Sequence, residues 1–172
     1  MQEKVKGIGR REVMGIKKNI IIPKVGFGFL KFGMGVKDVE NHLGRAEEIE
    51  NPDEYGDIYY SYENKGINFL RFSKDENFRL TSIELNNKSK AILWQTEIFG
   101  LTQEKIKNLS ANMGYSLKLK DSVKDSDTDE VFEELYRIES LYISFYFNEF
   151  KILEEISIGA PFNENDEIEW PA

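Results

Sequence analysis

The chain carries one histidine, His42, and no cysteine, which leaves little from which to build a catalytic centre. Thiolate nucleophiles, disulfides, multi-histidine metal sites and zinc chemistry all need residues that are missing. His42 falls just before Leu43-Gly44 at the end of a predicted helix. A cation there complements the helix dipole and can donate to an unpaired carbonyl, so a structural role is expected. Carboxylates number 31 in 172 residues, too many for spacing alone to single out a general acid and its base. A glycosidase reading would also need a cleft that no motif announces. The expectation is a protein that is not an enzyme, with no catalytic residue, no metal site and no cofactor.

Three patterns that resemble ligand loops do not survive inspection. In Gly26-Phe27-Gly28-Phe29-Leu30-Lys31-Phe32-Gly33 the third glycine comes two residues late for a dinucleotide loop, and Gly7-Ile8-Gly9 has no third glycine in range. Asp125-Ser126-Asp127-Thr128-Asp129 begins like a calcium-binding loop. Glu130, however, occupies the place of the turn glycine, and Tyr136 stands where a bidentate Glu would close the cage.

Binding is the better reading, and charge and aromatic placement carry it. Residues 1–18 hold six basic side chains against Glu3 and Glu12, whereas residues 121–172 hold fifteen acids against Lys124, Arg137 and Lys151. With a net charge of −8, the middle of the chain is neutral. The acidic C-terminal third repels phosphate backbones and attracts basic surfaces, which argues against nucleic acid and for a cationic protein partner. The plainer alternative is a solvated acidic face that aids solubility. Within this third, Asp121–Glu130 reads as an acidic loop, and Asp125, Asp127, Asp129, Glu130, Glu133 and Glu134 are the candidate partner-binding acids. In the segment 141–147, Leu141, Ile143, Phe145 and Phe147 alternate as core material and turn Tyr142, Ser144 and Tyr146 to the opposite face. Tyrosines join a rigid apolar body to a polar tip and are enriched at interface hot spots, so Tyr136, Tyr142 and Tyr146 form a candidate contact patch. A helix laid over this face would instead leave them half-buried and structural.

The elements that must position these residues show a repeated order. Phe32-Gly33-Met34 recurs 67 positions later as Phe99-Gly100-Leu101, with Val39 falling opposite Ile106. Each copy continues with a short amphipathic helix and a group of alternating strands, over 29–87 and 98–158. Residues 1–18 show no sustained period and read as a mobile basic arm; 19–172 form one domain. Asn19 to Phe32 reads as an extended segment with a glycine face. Val36 to Leu43 is the first helix, with Asp38 in its first turn and Gly44 at its end. After a loop over Pro52–Gly56, strands are expected at 57–62, 67–72 and 79–86. Thr102 caps the second helix, whose stripe is Ile106, Leu109 and Met113 ending at Gly114. Strands at 115–120, 135–138, 141–147 and 150–158 follow, for about seven in all.

The run Phe32-Gly33-Met34-Gly35-Val36-Lys37-Asp38-Val39, followed by Leu43-Gly44 and strands, resembles the repeat unit of the β-lactamase-inhibitor protein fold and of small outer-membrane-assembly lipoproteins, over about 55 residues. In those families a helix layer lies against an antiparallel sheet whose open face grips another protein. The resemblance implies an α+β fold of two tandem helix-plus-antiparallel-sheet units packed as a two-layer sandwich. An acidic, cysteine-free chain of this size ending Glu167-Ile168-Glu169-Trp170-Pro171 also looks like the immunity proteins that bacteria pair with secreted toxins, which implies a cationic toxin domain as partner. The alternative is an envelope-assembly or ligand-binding scaffold without catalysis. The apolar stretch from Asn19 to Phe32 is broken by Pro23, Lys24, Lys31 and glycines, so neither a signal peptide nor a membrane span is expected, and a cytoplasmic address follows.

Overall fold

The computed structural model describes residues 18–50 and 52–172. The basic arm expected over 1–18 therefore lies, apart from Lys18, outside the described residues. The fold is α+β and strand-dominated. Three two-residue strands, β1 (Ile21–Ile22), β2 (Gly26–Phe27) and β3 (Leu30–Lys31), form a small antiparallel ribbon ahead of helix α1 (Val36–Leu43). Strands β4 (Glu48–Glu50), β5 (Ile58–Tyr62), β6 (Ile67–Ser73) and β7 (Arg79–Asn86) form a meander. A hairpin of β8 (Ile92–Leu93) and β9 (Thr96–Glu97) leads into helix α2 (Gln103–Asn112). A second meander of β10 (Lys118–Lys124), β11 (Val131–Ile138), β12 (Ile143–Asn148) and β13 (Leu153–Gly159) follows. The two meanders make one eight-stranded antiparallel sheet in the order β10-β11-β12-β13-β7-β6-β5-β4. Among the described residues no helix is long and apolar enough to cross a membrane.

Period-two alternation dictates the layers. Leu80, Ile83 and Leu85 of β7, Ile143, Phe145 and Phe147 of β12, and Leu153, Ile156 and Ile158 of β13 all point to one side and are buried. Val39 of α1 (0% exposed) and Ile106 of α2 (1%) enter the same core. So do Ile21, Phe27 and Leu30 from the ribbon and Leu93 from the β8–β9 hairpin. The two-layer sandwich of tandem units describes this only in part. Helices of 8 and 10 residues are too short to cover eight strands, and the small ribbons complete the cover.

The two halves share hydrogen-bond geometry as well as order. The Gly33 amide donates to Leu80 O (2.9 Å) and the Leu80 amide to Met34 O (2.8 Å); Gly100 and Leu101 make the matching pair with Leu153 (3.4 and 3.0 Å). Gly66 and Tyr142, each closing a 3-10 turn between the second and third strands of its meander, are both left-handed, with φ of 77° and 55°.

Several sequence expectations need correction. Asp121–Glu130 is not a loop between strands. Leu119, Val123 and Phe132 alternate with polar residues strongly enough to carry β10 through Lys124 and to start β11 at Val131, leaving a hairpin turn closed by the Asp125 amide on Glu130 O (2.8 Å). The expected strand over Asn19–Phe32 folds back on itself twice. Of the expected α2 stripe, Leu109 is half-buried and Met113 exposed. In α2 the inward line runs from Ile106 to Ser110, whose hydroxyl donates to Ile106 O (2.8 Å) and so enters the core without an orphan proton. Both sheet edges are blunted. β4 has three residues, and β10 carries Lys118, Lys120 and Lys124 with two register shifts against β11.

Because Ile106 is the one large apolar side chain that α2 buries fully, Ile106→Ala is expected to destabilise the fold by about 2–5 kcal/mol in urea or thermal melts. An unchanged midpoint would contradict this account of how α2 is held.

Candidate functional site

The alternation that buries one face of the sheet leaves the other polar and largely uncovered. Pairing of β7 with β13 sets Asn86 opposite Glu155 and Glu84 opposite Ser157, and pairing of β12 with β13 sets Tyr146 opposite Glu155. These residues are half-buried, packed side by side on the outer face. Asn68 Nδ2 donates to Glu84 Oε1 (3.1 Å), and Asn86 Nδ2 donates to Asn68 Oδ1 (2.6 Å), so both amides are fixed and one of them holds the carboxylate.

Burial, with like charges beside it, perturbs the group. Burial raises the Glu84 carboxyl above its ordinary range, the Asn68 hydrogen bond opposes that, and the charges of Glu155 and Glu133 add to it. Burial likewise raises Glu155, with Glu133 and Glu154 contributing. The Tyr146 phenol is pushed up by burial and by Glu84, Glu155 and Glu133. A half-buried acid group held where water would rather solvate it is the kind of local cost found at functional surfaces.

Two arginines also lie on this face. Arg71 Nε donates to Asp57 Oδ2 (2.7 Å), and the Lys74 amide donates to Asp57 Oδ1 (2.9 Å), so the buried Asp57 carboxylate is paired on both oxygens. Arg137 Nε lies 3.7 Å from Glu139 Oε2 and has no hydrogen-bond partner among the described residues. With Tyr142, Thr81, Asp75 and Glu76 these arginines border a shallow cleft of about 320 Å³.

Of the nine sequence-predicted residues, the sheet brings some together and separates others. Asp125, Asp127, Asp129 and Glu130 lie at the β10–β11 turn. Asp125 accepts from the amides of Asp127 (2.8 Å) and Thr128 (2.9 Å), which lower its pKa and commit the carboxylate to shaping the turn. Glu133, opposite Asn148, joins Tyr146 on the outer face. Tyr136 and Glu134 do not. Register sets them against Phe145 and Phe147, the Tyr136 hydroxyl donates to Glu134 Oε2 (2.9 Å), and its ring packs edge-on against Phe147 (5.7 Å), so both face the helix side. Tyr136 therefore lies on the opposite face from Tyr146, because one residue of register decides the face. Tyr142 borders the cleft that the arginines share, its hydroxyl donating to Phe162 O (3.3 Å). A bulky side chain at φ 55° is an unusual backbone state, held here where Gly66 sits in the other half. His42 is exposed in the last turn of α1 and stacks on Phe29, with ring centroids 5.9 Å apart.

Sequence reasoning missed Glu84, Glu155, Asn68 and Asn86. Their only local signal was a polar residue between apolar ones, as in Ile83-Glu84-Leu85; the acid cluster arises from pairing across 71 residues between β7 and β13. Among the described residues no group of three or more His, Asp or Glu is arranged to hold a metal ion. Compared with protein families, with characterised proteins and with solved structures, the chain matches none.

A carboxyl whose folded pKa lies above its unfolded value favours the fold at low pH, and that contribution is lost as pH rises through the folded pKa. Glu84→Gln, which keeps an acceptor for Asn68, is therefore expected to melt at a higher temperature than the parent at neutral pH, with the gap closing as pH falls toward the ordinary glutamate range near ~4.3. A variant that melts lower at pH 7 would remove the claim that Glu84 is held at a cost.

Proposed function

We propose that this chain is a non-catalytic, protein-binding inhibitor of the immunity-protein kind, acting in the cytoplasm, which neutralises a cognate toxin domain by covering its basic active-site surface. The observation that carries the reading is the uncovered sheet face on which Glu84, Glu155, Glu133 and Tyr146 crowd together, continuous through β11 with a hairpin turn that bears Asp125, Asp127, Asp129 and Glu130. A nuclease is one such toxin. It presents Lys and Arg to phosphates, and a surface of spaced carboxylates imitates the polyanion it expects. Charges at the exposed turn steer encounter, and the half-buried tyrosine supplies contact that excludes water once docked. The two halves are read as related units, whose joined sheet supplies a face wider than either meander.

Two groups of residues should affect different rates. Neutralising Asp125, Asp127, Asp129, Glu130 and Glu133 together is expected to slow association with the purified cognate partner by about tenfold at low salt and to flatten its salt dependence. Tyr146→Ala is expected chiefly to speed dissociation. The partner is to be sought first as the product of the adjoining gene. An association rate that is unchanged in the charge-neutralised variant at both low and high salt would sink the mechanism.

A further inference from the structure

The helix side of the molecule holds a second cleft, of about 640 Å³, that shares no residue with the acid face or the hairpin turn. Its charge is opposite to that of the chain as a whole. Among the described residues Lys18, Lys65, Lys88 and Lys90 line it, and no Asp or Glu does. Among the described residues none of these lysines stands within ion-pair distance of a carboxylate. On a protein of net charge −8, four ammonium groups around one concavity, without a carboxylate partner among the described residues, have a repulsive cost that a bound anion would remove.

The backbone builds this arrangement. The 3-10 turns at Glu63–Lys65 and Asn87–Ser89 meet at Gly66, where a β-carbon would stand 1.9 Å from the Ser89 amide nitrogen, so only glycine permits the approach. The second turn is locked by the Lys88 amide donating to Asn86 Oδ1 (2.9 Å) and by the Ser89 hydroxyl donating to Asn86 O (2.7 Å). Lys65 from one turn is thereby brought beside Lys88 and Lys90 from the other. Below them the floor is apolar, formed by Phe27, Leu30, Leu43 and Ile67. One wall is a flat plate, Phe29 stacked on His42 at an interplanar angle of 6°, with Phe29 39% exposed.

A basic rim over an apolar floor, with an exposed aromatic plate at the side, suits an anion that carries a flat ring. Cleft size falls within the roughly 300–1,000 Å³ usual for small-molecule sites. We infer that this cleft binds a phosphate-bearing ligand of mononucleotide size, its phosphates on the lysines and its ring against Phe29. Phosphate oxygens accept charge-assisted hydrogen bonds from ammonium groups, and a purine or pyrimidine ring gains stacking that inorganic phosphate lacks.

His42 is the only histidine, so its imidazole resonance reports on this cleft without ambiguity. Titrating the full chain with adenosine diphosphate is expected to give saturable binding of one ligand per chain in calorimetry and to shift the His42 signal. Inorganic phosphate should bind more weakly, and adenosine without phosphate more weakly still. The double substitution Lys65→Gln and Lys88→Gln is expected to weaken adenosine diphosphate by roughly tenfold or more, as loss of charge-assisted hydrogen bonds implies. Arginine at the same two positions should retain binding. Phe29→Ala should weaken the nucleotide while leaving inorganic phosphate unchanged. All of these side chains are exposed, and melting temperatures near that of the parent would check that each variant folds. The inference is overturned if adenosine diphosphate gives no saturable signal or if the double glutamine variant binds it equally well. Since none of these residues contributes to the acid face, the outcome leaves the inhibitor reading independently testable.

Discussion

Everything else in this molecule hangs on the antiparallel ladder between β7 and β13. Each meander alone has an unpaired strand at one side and an apolar face too wide for one short helix. Joined through the five residue pairs from Glu155–Asn86 to Gly159–Ser82, they become one sheet with a continuous core face. The same ladder sets Ile156 opposite Leu85 and Ile158 opposite Ile83 at the centre of that core. One residue out of phase, it sets Glu155 beside Asn86 and Glu84 beside Ser157 on the outer face. Core and acid cluster are therefore two sides of a single register, and neither can shift without the other.

This coupling explains why unfavourable groups persist on the outer face. Burying apolar side chains on one side fixes the backbone positions on the other, and the polar residues there have no freedom to spread apart. Asn68 and Asn86 partly relieve the crowding by hydrogen bonding, yet Glu84 and Glu155 are still raised by burial. A sheet of eight strands provides enough core to tolerate such a local cost, since surface electrostatics is a small fraction of what apolar burial supplies. The edges show the same economy of design: three residues at β4, and lysines with register shifts at β10, keep other chains from extending the sheet, so recognition is directed to the faces.

The two faces present opposite chemistry for one reason of chain geometry. Outward positions of β7, β11 and β13 collect carboxylates, while the two 3-10 turns and Lys18, ahead of the ribbon, gather lysines on the helix side. A chain that is acidic on average can thus hold a cationic cleft, because net charge says nothing about where like charges gather.

How much of this was legible in the chain follows from the range of each interaction. Local rules placed α1 at Val36–Leu43, put Thr102 at the cap of α2 accepting from the Lys105 amide (3.3 Å), and turned Ile143, Phe145 and Phe147 inward; the α+β class follows from these. Each depends on residues within one turn or one strand. The Phe-Gly-apolar turns were likewise visible, since their spacing is in the sequence. What the sequence could not settle were quantities set by pairing between distant segments. Parity along β11 was readable, but its pairing with β12 decided which parity faced the helices, and so parted Tyr136 from Tyr146. The meeting of Glu84 with Glu155, and of Lys65 with Lys88, needed strands and turns tens of residues apart to be brought together by burial of the apolar core. Sequence alone determined which residues alternate and where helices begin and end; tertiary structure decided which alternating face is covered, because only the pairing of β7 with β13 commits both meanders to a common core.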